Sequence, residues 1–375
     1  DGLVSLLSKY SKNLSELEEK LVNSFIMSST AFKFNKTPTI VSFTLPLGVE
    51  QKIVNVVLSA YKTYVELTPR PRIGLVINYE KGKITDVSNI LAEIISLGGE
   101  IIFAKHNISQ NGVTRLKSTG SSTLHLGSLS INLPRLAFES NKDETYFRAR
   151  LALLMKPALV SMNLRKKNIS ELVRLGMNPI LANNTQYMQR CSTSLVINLV
   201  GLRDAVFGIL GFKDDKQGHE ILHKVVETSV SIALKKAKEL GTDVLVTMTK
   251  SDGSGRFISL DEEKYGKNSI LKITENETYT EGVVIDATTL ADLTIKSPQI
   301  VECNRMAKTL NGGLFTQVKI PNGSKITEIK KNIEKVSNLT NSFKLIMRVP
   351  LCGNCGLKDQ TLVDKCPTCK SSYII

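Results

Sequence analysis

Four cysteines near the end of the chain carry the spacing of a metal site. Cys352 and Cys355 make one C-x-x-C pair, and Cys366 and Cys369 make a second after a ten-residue spacer. Two such knuckles turn backbone amides toward their sulfurs. Four thiolates at the corners of a tetrahedron suit Zn²⁺, with Zn–S of about 2.3 Å. Lys365 and Lys370 beside the second pair favour the thiolate form. A closed set of four protein ligands makes the site structural rather than catalytic, and metal binding is then folding energy for a tail with little core of its own. Two disulfides are the competing reading and suit a secreted chain; iron–sulfur clusters usually use other four-cysteine spacings. The start of the chain, from Asp1, has no basic stretch followed by an apolar one, so a cytoplasmic protein is expected.

Other residues invite chemistry less strongly. His219-Glu220-Ile221-Leu222-His223 fits H-E-x-x-H, which on a helix puts both imidazoles on one face with Glu220 as a base. A metallohydrolase also needs a third ligand. Glu239 lies some turns further along the same helix and cannot fold back, so a helix start that is exposed or half-buried is the better account. Asp252-Gly253-Ser254-Gly255, between Lys250 and Arg256, is a turn whose amides could cradle phosphate, but it lacks the order of a P-loop and no clear helix follows. Cys191 and Cys303 are isolated and read as small buried hydrophobes.

The elements that must position these groups alternate between strand and helix. Helical periodicity covers Leu3–Met27, Val49–Leu67, Asp86–Leu97, Asp143–Lys156, Ile169–Leu175 and Glu220–Leu240, the last stopped by Gly241. Strand-like runs occupy Thr39–Leu45, Arg72–Tyr79, Glu100–Ala104, Ser194–Val200 and Val244–Met248. Asn111–Ser122 reads as a loop. This rhythm predicts an α/β layer or barrel with parallel strands.

Composition sets the outer limits. The chain has 375 residues, 42% hydrophobic and 22% charged, which suits a globular fold and excludes bulk disorder. No apolar run approaches membrane length. Lysine and arginine number 49 against 35 acidic residues, a net charge of +14. Such an excess favours polyanionic partners, with RNA or the ribosome the first expectation.

One stretch is more specific. Leu126–Ala137 (LGSLSINLPRLA) resembles the INLPR segment of anaerobic, glycyl-radical ribonucleoside-triphosphate reductases. Further segments are similar to that family in the same order: Asp143–Leu151, Ile197–Ala205, Val246–Gly266, the Asn311-Gly312-Gly313 turn, and the cysteine pairs, which match the family's zinc site. The resemblance implies a ten-stranded α/β barrel body over residues 1–345, shortened at its N-terminus, and a C-terminal zinc ribbon over 346–375. It implies a substrate or nucleotide site containing Asn132, Arg135, Asn311, Gly312 and Gly313, with ribonucleoside triphosphates as ligands. The family's radical-bearing cysteine precedes the INLPR segment, yet the corresponding loop reads Ile108–Arg115 (ISQNGVTR), and no cysteine occurs before Cys191. The family's glycyl-radical motif should follow the ribbon, where only Lys370–Ile375 stands. Trimmed ends could account for the missing glycyl motif but not for the missing internal cysteine, and on that cysteine the resemblance implies a non-catalytic relative, reused as a binding or regulatory factor, with a reductase or reductase component as the alternative.

Overall fold

The computed structural model of the chain describes residues 13–31, 41–46, 51–69, 71–80, 83–105, 123–177, 192–249, 254–274, 278–286, 294–360 and 362–375. The loop expected at 111–122, with the Ile108–Arg115 stretch, lies outside these, as do Cys191, Lys250 and the 251–253 part of the Gly/Ser turn. Two compact units emerge. One comprises residues 1–112, 284–301 and 316–375; the other comprises 113–283 and 302–315.

The first unit is built on a six-stranded sheet. Its strands are β1 (Val41–Pro46), β2 (Ile73–Tyr79), β3 (Glu100–Lys105), β7 (Val283–Asp286), β9 (Thr316–Lys319) and β10 (Ser342–Ile346), in the order β1-β2-β3-β10-β9-β7. The β1–β2, β2–β3 and β10–β9 pairs are parallel, and β10 runs antiparallel to β3. Strand β2 is buried along nearly its whole length, which explains its continuous apolar run. Helices α1 (Leu14–Ala31) and α2 (Gln51–Leu67) pack through Phe25, Tyr61 and Tyr64, with ring centroids 5.8 Å apart. The Tyr61 hydroxyl donates to the Ile73 carbonyl at 2.7 Å and accepts from the Glu100 amide at 3.2 Å, joining the starts of β2 and β3. This satisfies a phenol that would be costly to bury alone.

The second unit holds a four-stranded parallel sheet in the order β4-β5-β6-β8: β4 (Thr123–Asn132), β5 (Ser192–Val200), β6 (Asp243–Met248) and β8 (Gly313–Leu314). Inward residues such as Leu195, Ile197, Leu199, Val244 and Val246 share a core with two long helices, α5 (Glu144–Arg174) and α6 (Lys216–Leu240). Asp215 caps α6 by accepting from the amides of Gln217 and Gly218, and Gly241 ends it in the left-handed region at φ +60°.

Two readings from sequence are corrected here. The segments expected as separate helices at 143–156 and 169–175 belong to the single helix α5, which runs through Pro157. Proline removes one helical hydrogen bond, but the buried stripe of Phe147, Leu151, Met155, Leu159 and Met162 continues past it, and burial carries the helix across. A helix does follow the Gly/Ser turn: α7 (Ser254–Tyr265), succeeded by the short α8 (Lys267–Leu271). Its buried positions are Ser254, Ile258 and Asp261, so two of the three are polar and the hydrophobic pattern that announces a helix is weak. The α/β class with parallel sheets is as expected. No helix among the described residues is long and apolar enough to cross a membrane.

Candidate functional site

The four cysteines come together within the first unit. Their sulfurs all lie within 4.8 Å of one another, with Cys352 and Cys369 at 3.5 Å and Cys355 and Cys366 at 3.5 Å. A disulfide requires about 2.05 Å, whereas tetrahedral ligands around one zinc ion stand roughly 3.8 Å apart, as Zn–S of about 2.3 Å dictates. The spacing thus fits a metal ion. The backbone supports it twice over. The Gly356 amide returns to the Cys352 carbonyl at 2.9 Å, the Lys370 amide returns to that of Cys366 at 3.0 Å, and both turning residues are left-handed, at φ +78° and +59°. Amides of Cys369 and Thr368 draw the Cys366 thiol below its ordinary value. The Asn354 side chain, then the Ser371 amide, draw Cys369 down to about 6. Cys355 goes the other way: against the pull of the Leu357 amide, burial and hydrogen bonds to the other three thiols raise it to about 12, so a metal that takes its thiolate must displace that proton.

The ribbon has a small core of Cys352, Leu362 and Cys366, and it is tied to the rest of its unit. The Lys358 ammonium donates to the Val65 carbonyl at 2.6 Å, and the Gln360 side chain accepts from the Gly323 amide at 3.1 Å. Lys358 lines a cavity of about 350 Å³ with Pro69, Pro71 and Gly98. Burial there lowers its pKa to about 8.

In the second unit, Asn132 and Arg135 stand at the C-terminal edge of the parallel sheet, the side on which such sheets bind ligands. Asn132 ends β4 and caps α4 (Leu133–Glu139), its Oδ1 accepting from the Arg135 amide at 3.2 Å. Gly201, at φ +74°, ends β5 beside it, and a Cβ there would meet the Pro134 ring at 2.5 Å. Both predicted residues converge on Asp261 of α7. The Asn132 Nδ2 donates to Asp261 at 2.7 Å, the Arg135 Nε donates at 2.6 Å, and the Tyr279 hydroxyl adds a donor at 2.9 Å. Arg135 also donates to the Leu260 carbonyl at 2.9 Å. The segment bearing Tyr279 is held by Asp204, which accepts from the Thr280 amide at 2.5 Å and the Thr280 hydroxyl at 2.8 Å. Burial raises Asp204 above the usual carboxylate range, against the pull of those donors.

Sequence reasoning did not single out Asp261, Tyr279 or Asp204 as site residues. Asp261 recurs at i, i+4, i+7 with Ser254 and Ile258, a spacing that marks a helix face. Nothing local tells that it meets residues some 130 positions earlier.

The Asn311–Gly313 turn serves β6. Asn311 accepts from the Val246 amide at 2.7 Å and donates to the Val244 carbonyl at 2.8 Å, so its side chain substitutes for a strand. At Gly312 a Cβ would meet Thr247 Cγ2 at 2.6 Å, so glycine is what lets the turn close on β6.

The H-E-x-x-H residues are each held by protein groups. His219 meets Asp214 at 2.8 Å, His223 meets Thr309 at 2.9 Å, and Glu220 accepts from Arg305 at 2.8 Å. His223 is buried. Among the described residues, the four cysteines are the group whose donor atoms converge as metal ligands, and these histidines are not in it. Cys303 is buried in the core, as expected.

Residues 82–374 match the sequence model of the family described as anaerobic ribonucleoside-triphosphate reductase. The chain belongs to that family. Similar solved structures include an anaerobic ribonucleotide reductase, at 16% identity and a TM-score of 0.64, covering 96% of this chain and 62% of that one. Another is the anaerobic ribonucleotide reductase of Thermotoga maritima in complex with dATP and CTP, also at 16% and 0.64, covering 98% of this chain and 67% of that one. The glycerol-bound B12-independent glycerol dehydratase of Clostridium butyricum is similar at 11% identity and TM-score 0.52, covering 79% of this chain and 49% of that one. The chain thus spans roughly half to two thirds of the length of these structures, and at such identities the likeness shows the fold. No curated protein sequence matches it.

Proposed function

We propose that this reductase-family chain binds a ribonucleoside triphosphate at the C-terminal edge of its four-stranded sheet and does not itself carry out ribonucleotide reduction. It acts as a binding or regulatory factor, in the cytoplasm. The observation that carries this reading is the combination of a family scaffold with no cysteine before Cys191. Reduction by a thiyl radical needs a sulfur in the loop ahead of the INLPR segment, and Ile108–Arg115 offers none. The edge itself persists, with Asn132 and Arg135 as the contact residues and Asn311–Gly313 shaping the neighbouring strand.

In this reading the body extends over 1–345, the ribbon over 346–375, and the ribbon's ion is a structural Zn²⁺. Titration calorimetry of the full chain with CTP tests the binding. Arg135→Ala should weaken it about tenfold, the scale of one charge-assisted hydrogen bond. An unchanged affinity sinks the site assignment.

The net charge of +14 favours a second reading, in which the partner is RNA or the ribosome. Binding would then fall steeply with salt, because each phosphate contact releases counterions. Affinity for RNA that is indifferent to salt, or absent, removes that reading.

A further inference from the structure

We infer that Asp261 is a positioning residue for the ligand site, fixing the Asn132 amide and the Arg135 guanidinium in the orientation that meets a nucleotide. The inference rests on the nucleotide-binding reading above and adds a residue to it. Asp261 is fully buried, whereas the Arg135 side chain is 31% exposed, so the pair has an inner anchor and an outer, accessible end. The anchor is saturated. Arg135 Nε and Nη2 each approach Oδ1 at 2.6 Å, while Asn132 Nδ2 and the Tyr279 hydroxyl approach Oδ2 at 2.7 and 2.9 Å.

Two separate elements therefore converge on one carboxylate of α7: the β4–α4 junction, and the segment that Asp204 pins through Thr280. This carboxylate gathers both sequence-predicted site residues, and the Arg135 side chain that it holds keeps 31% of its surface exposed. A long arginine loses much rotamer freedom on binding a ligand, and an arginine already held by its Nε side has lost it beforehand. Asn132 is constrained at both ends, by the Arg135 amide and by Asp261.

The test uses the zinc-loaded full chain with CTP as the probe, and reads both affinity and the Arg135 Nε–H NMR resonance, assigned through Arg135→Lys. Asp261→Asn should weaken CTP binding about tenfold or more, the scale of a charged hydrogen-bond network. It should also shift the Nε–H signal and speed its exchange with water. Tyr279→Phe, which leaves the carboxylate in place, should weaken binding by a few-fold and move the same resonance less. That variant decides the matter should Asp261→Asn fail to fold. Wild-type binding that persists unchanged in the folded Asp261→Asn chain, or in Tyr279→Phe with an unmoved resonance, overturns the positioning role and leaves the nucleotide reading standing. Failure of the wild-type chain to bind CTP overturns both.

Discussion

The cysteine cluster and the Asp261 cluster differ in how their polar atoms are satisfied. At the ribbon, four sulfurs converge within 4.8 Å of one another, in the spacing of metal ligands. At the edge of the parallel sheet, one buried carboxylate is met by four donor contacts and wants for nothing. The first is shaped for a ligand that completes it. The second is complete already, and the nucleotide proposed for it would meet the outer rim, where the Arg135 side chain is partly exposed. The cysteine cluster is defined by donor atoms that converge, and the carboxylate cluster by donors that it holds in place.

The contrast can be broken at its strongest point first. Removing the metal with a chelator, or one ligand by Cys352→Ser, should unfold the ribbon over residues 346–375. Structural zinc contributes on the order of 10 kcal/mol to such a module. Hydrogen exchange would show loss of protection there while the four-stranded sheet keeps its own. Protection that survives chelation means that the sulfurs do not hold the ribbon together.

At the buried carboxylate, Asp261→Ala leaves Arg135 and Asn132 without their acceptor. It should cost about 3–5 kcal/mol in urea unfolding, the scale of a broken buried ion pair. A cost below 1 kcal/mol would show a carboxylate that is not the hub described here. Gly201→Ala sharpens the geometry of the same edge. Its φ of +74° and the Pro134 ring at 2.5 Å leave no room for a methyl group, and a loss of about 1–3 kcal/mol is expected.

The smallest effect concerns the ribbon's tether. Burial lowers the Lys358 ammonium to about 8, against an ordinary 10.5. Between those pH values the unfolded chain binds the extra proton, so stability should rise with pH across that window. Lys358→Met should flatten the rise in thermal melts of the metal-loaded chain.

The ribbon was legible because its chemistry is local: two C-x-x-C pairs name their own ligands, and a ten-residue spacer joins them. The helices and strands with simple periodicity were legible for a similar reason. Helix α6 begins four residues before the pattern suggests, because Asp215 caps it there, and it stops at Gly241 as expected. What sequence does not show is a pairing over distance. Asn132 and Arg135 announce themselves through the INLPR segment, but their partner Asp261 sits on a helix whose buried face is largely polar and so has little hydrophobic signature. The stretch from Pro157 to Asn168 carried no helical reading, yet buried residues on both sides of the proline continue the helix through it. The Asn311-Gly312-Gly313 turn was visible as a motif, whereas its use as a substitute strand beside β6 depends on backbone groups that no side-chain pattern records.

The central claim is that the chain keeps the reductase scaffold but lacks the sulfur that would carry the radical. The direct measurement is an anaerobic incubation of the chain with ribonucleoside triphosphates, beside a family reductase under the conditions that support it, with the nucleotides resolved afterwards. The account predicts that the control forms deoxyribonucleotide and that this chain returns its nucleotide unreduced. Deoxyribonucleotide formed by this chain alone would contradict it.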